Sequence, residues 1–206
     1  RVDSLKDVSM YVGEGCRLGL IGANGAGKST MLRMMSGIYP PTRGRISITG
    51  QVSSLLDLSL GMDPEASGLV NIRNRALFLG LTRKEVDAQI DDIAAFADLG
   101  EFISYPIRTY SSGMFLRLAF AIATASHPEI VLIDEGLGAG DAAFREKARA
   151  RLDAFMGRAG ILVLASHDYA LLERYCEEAA VMHKGRLLFR GPLAEAHDYY
   201  RTEVVG

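Results

Sequence analysis

Three stretches of the sequence predict an α/β fold with one inserted helical block. Arg17 to Ile21 reads as a strand that enters the glycine-rich stretch Gly22-Ala23-Asn24-Gly25-Ala26-Gly27-Lys28-Ser29-Thr30, and Met31 to Ser36 reads as the helix leaving it. The apolar run Ile130-Val131-Leu132-Ile133 ends in Asp134 and Glu135, as a strand buried on both faces of a parallel sheet does. Between these, Leu69 to Ala125 changes to helical spacing.

Ahead of the glycine-rich stretch, the alternation Val8, Met10, Val12 broken by Gly13 and Gly15 predicts a hairpin, and so an N-terminal antiparallel β subdomain. Gly37 is a candidate C-cap, Pro40, Pro41 and Gly44 mark turns, and Arg45 to Ile48 and Val52 to Leu58 read as short strands. Thr82 with Glu85 forms a capping box for a helix whose Val86, Ile90, Ile93, Ala94 and Ala97 share a face. A further helix begins near Ser112 with Phe115, Leu118, Ala119 and Ile122 on one side. The helical block is bounded at residues 59–127, leaving 1–58 and 128–206 as one α/β core. After Asp134 the pattern predicts a helix from Ala142 to Met156, a strand from Ile161 to Ala165 and a helix from Asp168 to Cys176. The strands Ala179 to His183 and Arg186 to Phe189 and a helix from Pro192 to Tyr200 complete it.

The 206 residues, 49% of them hydrophobic, suffice for one sizeable core. A net charge of -2, with basic residues interspersed among acidic ones, gives no electrostatic footprint for nucleic acid. Cys16 and Cys176 fit no metal or redox spacing and are expected as reduced thiols of a cytosolic protein. Ala119 to Ala125 is too short to cross a bilayer, and no segment reads as a secretory leader.

The glycine-rich stretch fits the G-x-x-x-x-G-K-[ST] pattern. Its glycines can take positive φ, so that successive N–H groups turn inward around a polyphosphate. Lys28 is then expected to reach the β- and γ-phosphates and Ser29 to offer its hydroxyl to Mg²⁺, with the helix dipole adding to both. Asp134, at a strand end, is the candidate Mg²⁺ ligand, and Glu135 the candidate to orient or deprotonate a water. Ser111 or Ser112 caps a helix, as Asp141 and Asp168 do for theirs. Ser166-His167-Asp168 cannot act as a hydrolytic triad, since consecutive side chains do not converge.

Taken together, these stretches resemble the nucleotide-binding domain of an ATP-binding cassette (ABC) transporter over nearly the whole chain. The resemblance implies a P-loop NTPase (RecA-like) core that binds ATP and Mg²⁺ and hydrolyses ATP. Gly22, Asn24, Gly25, Ala26, Gly27, Lys28, Ser29 and Thr30 would hold the nucleotide, and Ser29 and Asp134 the metal. Lys28, Glu135 and His167 would be catalytic, His167 as the switch histidine on the γ-phosphate. Tyr110-Ser111-Ser112-Gly113-Met114 stands where the family has Leu-Ser-Gly-Gly-Gln, a motif that caps ATP held by the opposite subunit, and Asp141 falls in the D-loop. A head-to-tail homodimer is therefore implied.

Asp57 occupies the place of the usual Q-loop glutamine. A carboxylate about 4 Å from a phosphate oxygen is repelled by roughly 4 kcal/mol at an effective dielectric near 20. Asp57 is thus expected to face Mg²⁺ and its waters and to signal nucleotide state to the helical block. The family's adenine-stacking aromatic would lie at or before Arg1, and Tyr11 lies in the wrong strand for it. Tyr-Ser-Ser-Gly-Met, Leu55-Leu56-Asp57-Leu58 and Gly138-Ala139-Gly140-Asp141-Ala142-Ala143-Phe144 resemble the branch that exports bacterial O-antigen, capsule and teichoic-acid chains. That implies an integral-membrane permease as partner, docked near Gly61 to Val70, and a lipid-linked glycan handled indirectly. It also implies a place on the cytoplasmic face of the inner membrane. A soluble ATPase of the same family acting on DNA or ribosomes would need long coiled-coil insertions or paired cassettes and a basic face, and a nonhydrolytic nucleotide-responsive module would lack Glu135 and His167.

Overall fold

The computed structural model describes residues 3–134 and 142–206. In chain order the elements are β1 (Arg17–Ile21), α1 (Lys28–Met35), β2 (Val52–Ser54), α2 (Gly68–Phe78), α3 (Arg83–Ala97), α4 (Ser112–Ala123) and β3 (Ile130–Ile133). There follow α5 (Ala142–Arg158), β4 (Ile161–Ala165), α6 (Tyr169–Tyr175), β5 (Glu178–His183), β6 (Arg186–Pro192) and α7 (Leu193–Tyr199). They divide into two compact units, one from Arg1–Leu56, Pro128–Gly136 and Ala159–Gly206, the other from Asp57–His127 and Leu137–Arg158.

The first unit is built on a six-stranded sheet of order β2-β3-β4-β1-β5-β6, parallel except for the β5–β6 hairpin. β1, β3 and β4 bury all but their first residue, so their apolar runs face packed neighbours on both sides. Leu18 and Leu20 of β1, Leu132 of β3, Val163 of β4 and Ala180 of β5 share one core with Met31 and Leu32 of α1. α1 ends in a Schellman motif at Gly37 (φ 76), where Ile38 N–H reaches Arg33 O at 2.9 Å and Gly37 N–H reaches Met34 O at 3.1 Å.

The N-terminal antiparallel subdomain is a point of difference. Residues 8–12 and 45–48 form no strand, and among the described residues the antiparallel pair is β5–β6. Val8, Met10 and Val12 do pack on the core, whereas Ile46 and Ile48 are exposed. Alternation thus reported which side chains face inward at 8–12, but a strand also needs a neighbouring backbone for its N–H and C=O groups.

The second unit packs α2, α3 and α4 around Ile72, Val86, Ile93, Phe96, Leu118, Phe120 and Ile122. Thr82 and Glu85 close the capping box reciprocally, with Thr82 N–H 2.7 Å from Glu85 Oε2 and Glu85 N–H 3.3 Å from Thr82 Oγ1. The sequence reading assigns the helix at Ala142 to the α/β core, but α5 falls in this unit. Its Phe144 ring meets those of Phe96 at 5.6 Å and Phe120 at 6.3 Å, both edge-on, and its Arg151 pairs with Asp92 at 2.9 Å. Polar side chains of α2 hold the segment ahead of it. Buried Asn71 accepts from Asp63 N–H at 2.7 Å and donates to the carbonyls of Asp63, Ala66 and Ser67, while buried Arg75 donates to those of Leu60 and Asp57.

Candidate functional site

β1 delivers the chain to Gly22, where a side chain has no room: a Cβ there would overlap the carbonyl oxygen of Met182 on β5 and lie 2.9 Å from the Cβ of Ala26. Gly22 (φ 158) therefore answers a close approach first, and Gly25 (φ 80) and Gly27 (φ 109) share its positive φ. The loop curls around the Lys28 ammonium, which donates to Gly22 O at 2.5 Å and Ala23 O at 3.3 Å, and Lys28 as a whole is 9% exposed. Because α1 starts at Lys28 without a side-chain cap or an acidic residue in its first turn, its leading N–H groups remain available to an anion. The first intrahelical bond comes from Met31 N–H to Gly27 O at 2.9 Å.

These residues line one face of an open concavity of about 550 Å³, bounded by Asn24 to Thr30 together with Asp3, Ser4, Lys6 and Lys184. The loop side is legible in the glycine-rich motif, and the opposite side is not. The signal for Lys184 is weak but present, a Lys-Gly pair between two apolar strands that marks a tight hairpin. For Lys6 the sequence offers none.

The other first-unit candidates sit at the carboxyl ends of neighbouring strands. Leu20 pairs with Ala165 and Ile133 with Leu164, so Gly22, Asp134 and His167 leave the sheet along one edge, where ligands gather in open α/β sheets. Ser166 is fully buried and its Oγ accepts Asp168 N–H at 2.9 Å, fixing the turn that leaves His167 exposed. Asp168 caps α6 through Ala170 N–H at 2.9 Å and Leu171 N–H at 3.3 Å.

In the second unit, Ser111 is the cap of α4, accepting Met114 N–H at 3.2 Å, and Ser112 and Gly113 open that helix. Among the described residues outside its own helix backbone, a Cβ on Gly113 would meet only the Ser111 hydroxyl, at 3.9 Å. Asp57 belongs to this unit as well. Its Oδ1 accepts the Ser59 hydroxyl at 2.5 Å and Ser59 N–H at 2.9 Å, and these bonds hold its carboxyl below the usual carboxylate range. That oxygen is therefore committed to the local turn. Glu135 and Asp141 lie outside the described residues.

Residues 5–138 match the family model described as ABC transporter. The chain is 43% identical over 203 residues to an O-antigen export system ATP-binding protein, RfbB of Myxococcus xanthus, covering 98% of this chain and 46% of the relative. It is 46% identical to the O-antigen export ATP-binding protein RfbE of Yersinia enterocolitica, covering 89% and 77%. The teichoic acids export ATP-binding protein TagH of Levilactobacillus brevis is 40% identical, covering 96% and 55%. The chain thus spans about half the length of the Myxococcus and Levilactobacillus relatives. Among solved structures, the ATP-binding subunit of an ABC transporter superposes with a TM-score of 0.76 at 27% identity, covering 98% of this chain and 88% of that one. A dimeric ATP-binding cassette in a post-hydrolysis state with ADP and Pi superposes at 0.72 with 23% identity, covering 93% and 91%, a likeness of fold.

Proposed function

The chain belongs to the ABC transporter family, and on that footing we propose that it is the ATP-binding and ATP-hydrolysing subunit of an exporter of lipid-linked bacterial surface polysaccharide, of the O-antigen, capsule or teichoic-acid kind. The substrate class rests on relatives named for O-antigen and teichoic-acid export. The observation that carries the ATP reading is Lys28, buried inside the curve of a loop whose following helix leaves its first N–H groups uncapped.

A polyphosphate fits this cradle, and the Ser29 hydroxyl with the Asp134 carboxylate, both in the first unit, are the hard oxygen donors that suit Mg²⁺. When bound, the metal spreads negative charge away from the transferred phosphoryl oxygens. Lys28 and the loop N–H groups bind and orient the phosphates. His167, at the end of β4, donates toward the γ-phosphate, and Glu135 positions the water. Ser111, Ser112 and Gly113 of a second copy close over the phosphates with a helix N-terminus, and that copy's Asp141 lies at the seam. Two copies meet head to tail around two ATP molecules. A permease subunit holds the pair at the cytoplasmic face of the inner membrane, coupled through the helical unit near Gly61 to Val70. Asp57 would face Mg²⁺ and its waters and pass nucleotide state to the helical unit.

The test is Mg²⁺-dependent phosphate release per chain as chain concentration is raised, with Lys28→Ala alongside. Specific activity should climb with concentration, and Lys28→Ala should lower it by about 100-fold or more, the scale of losing one preorganised charge donor. Activity per chain that is independent of concentration would overturn the shared site. Retention of tight ATP binding by Lys28→Ala would overturn the reading of the loop.

A further inference from the structure

The cavity at the phosphate loop has two sides, and the side not supplied by the glycine-rich motif is basic. Residues 3–6 and the turn between β5 and β6 form it, and main-chain bonds tie the turn to the loop and residues 3–6 to the turn. Gly185 N–H donates to Ala26 O at 2.9 Å, and Gly185 O accepts Lys6 N–H at 2.7 Å. The contact is close throughout: a Cβ on Gly27 would lie 3.1 Å from Ser4 O, and one on Gly185 2.6 Å from the same oxygen. This side is therefore packed directly against the loop. Among the described residues its charged lining residues are Lys6, Lys184 and Asp3, so with Lys28 the lining holds three lysines against one aspartate.

A second observation singles out Lys184. His183 pairs with Arg186 across the hairpin, leaving a two-residue turn of Lys184 (φ 47) and Gly185 (φ 83). Two consecutive positive φ values define a type I′ turn, in which the first position favours Asn, Asp or Gly. A lysine there is strained, and local strain of this kind collects where a side chain must be aimed for function.

We propose that Lys6 and Lys184 are binding residues for the polyphosphate of a nucleoside di- or triphosphate, forming a second cationic wall that faces Lys28 across the loop. This rests on the nucleotide reading above and extends it to a segment outside the motif. The triphosphate then sits between two basic surfaces rather than on one. Both ADP and ATP benefit, and binding is more dependent on salt than the motif alone would make it.

The test uses the whole chain with ADP, a nonhydrolysable ATP analogue and inorganic pyrophosphate as probes, titrated calorimetrically at low and high salt. Lys184→Asn installs a residue that the turn prefers, so its thermal midpoint should equal or exceed that of the parent. Lys184→Asn and Lys6→Met should each weaken all three probes about threefold at low salt, and the double variant about tenfold, the range of partly exposed charge contacts. The differences should shrink at high salt through screening, and Lys184→Arg should restore affinity. Unchanged affinity in the double variant, while Lys28→Ala abolishes binding, overturns this proposal and leaves the nucleotide reading intact. Full binding in Lys28→Ala overturns both. A loss seen with ADP but not with pyrophosphate overturns the assignment to phosphate.

Discussion

The carbonyl oxygen of Met182 lies so close to Gly22 that no side chain can stand between them. β1 and β5 pair in parallel up to Ile21 and Val181, and the contact comes one residue later, where β1 gives way to the phosphate loop. The obstacle is backbone and cannot swing aside. Gly22→Ala must therefore push the loop or the strand, at about 1–3 kcal/mol, the usual cost of overpacking. The displaced loop should also bind ADP at least about tenfold more weakly, because small shifts of positioned groups are costly. Urea unfolding and ADP titration measure the two effects, and a variant that keeps both values removes Met182 from the account of the loop.

Arg75 is a buried guanidinium that holds main chain. It is 2% exposed, donates to the carbonyls of Leu60 and Asp57, and burial pulls its pKa down to about 10, with Asp57 opposing. Against an ordinary value of 12.5 the folded state binds this proton less tightly, so the cost of the buried charge is present at neutral pH and is relieved as pH rises past about 10. Arg75→Ala leaves a cavity and unpaired carbonyls and should cost about 2–4 kcal/mol. Arg75→Met keeps the packing volume and should cost less. Hydrogen exchange of residues 57–63 should quicken in both, and protection equal to the parent's would show that Asn71 alone holds the segment.

Much of this architecture is legible in the sequence. β4 begins and ends where its apolar run does, and the capping box at Thr82 and Glu85 forms as its spacing predicts. These signals are local, set by neighbours a few residues apart. What failed to read was non-local. Val8, Met10 and Val12 carry the alternation of a strand without a ladder, and α5 reads only as a helix of the α/β core until Phe144 finds Phe96 and Phe120. The same division holds at the site. Lys28 and its loop are contiguous in sequence, whereas Lys184 reaches the same cavity from more than 150 residues away because β5 lies beside β1.

The capping box makes α3 sensitive to acid. Thr82 hydroxyl and N–H donors hold the Glu85 carboxyl below its ordinary value of 4.5. A depressed carboxyl contributes stability above the unfolded value and loses it as pH falls through the folded one. Thr82→Ala should therefore lower the urea midpoint at pH 7, and the difference from the parent should narrow as the pH is taken well below 4.5, leaving the part due to Thr82 Oγ1 accepting Glu85 N–H. A difference that stays constant through that range would mean the carboxylate adds nothing to the cap.

Cys176 tests how firmly the start of β5 is closed. It is 6% exposed, and burial drives its thiol pKa up to about 12, with Arg17 opposing too weakly to restore it. Since the thiolate is the reactive form, the fraction available at pH 8 is on the order of 10⁻⁴, against roughly a quarter for a free thiol. Cys16 is also raised, by burial first and then by the Glu178 carboxylate, but it is half-buried and Arg190 Nη2 lies 3.7 Å from its sulfur. Iodoacetamide at pH 8 should therefore modify Cys16 slowly and Cys176 at least about 100-fold more slowly than in urea, as peptide mass spectrometry would resolve. Labelling of Cys176 at the unfolded rate would mean that the link between α6 and β5 opens on the timescale of the reaction. The pairing of Leu18 with Glu178, two residues further on, would then be less secure than its place in the sheet implies.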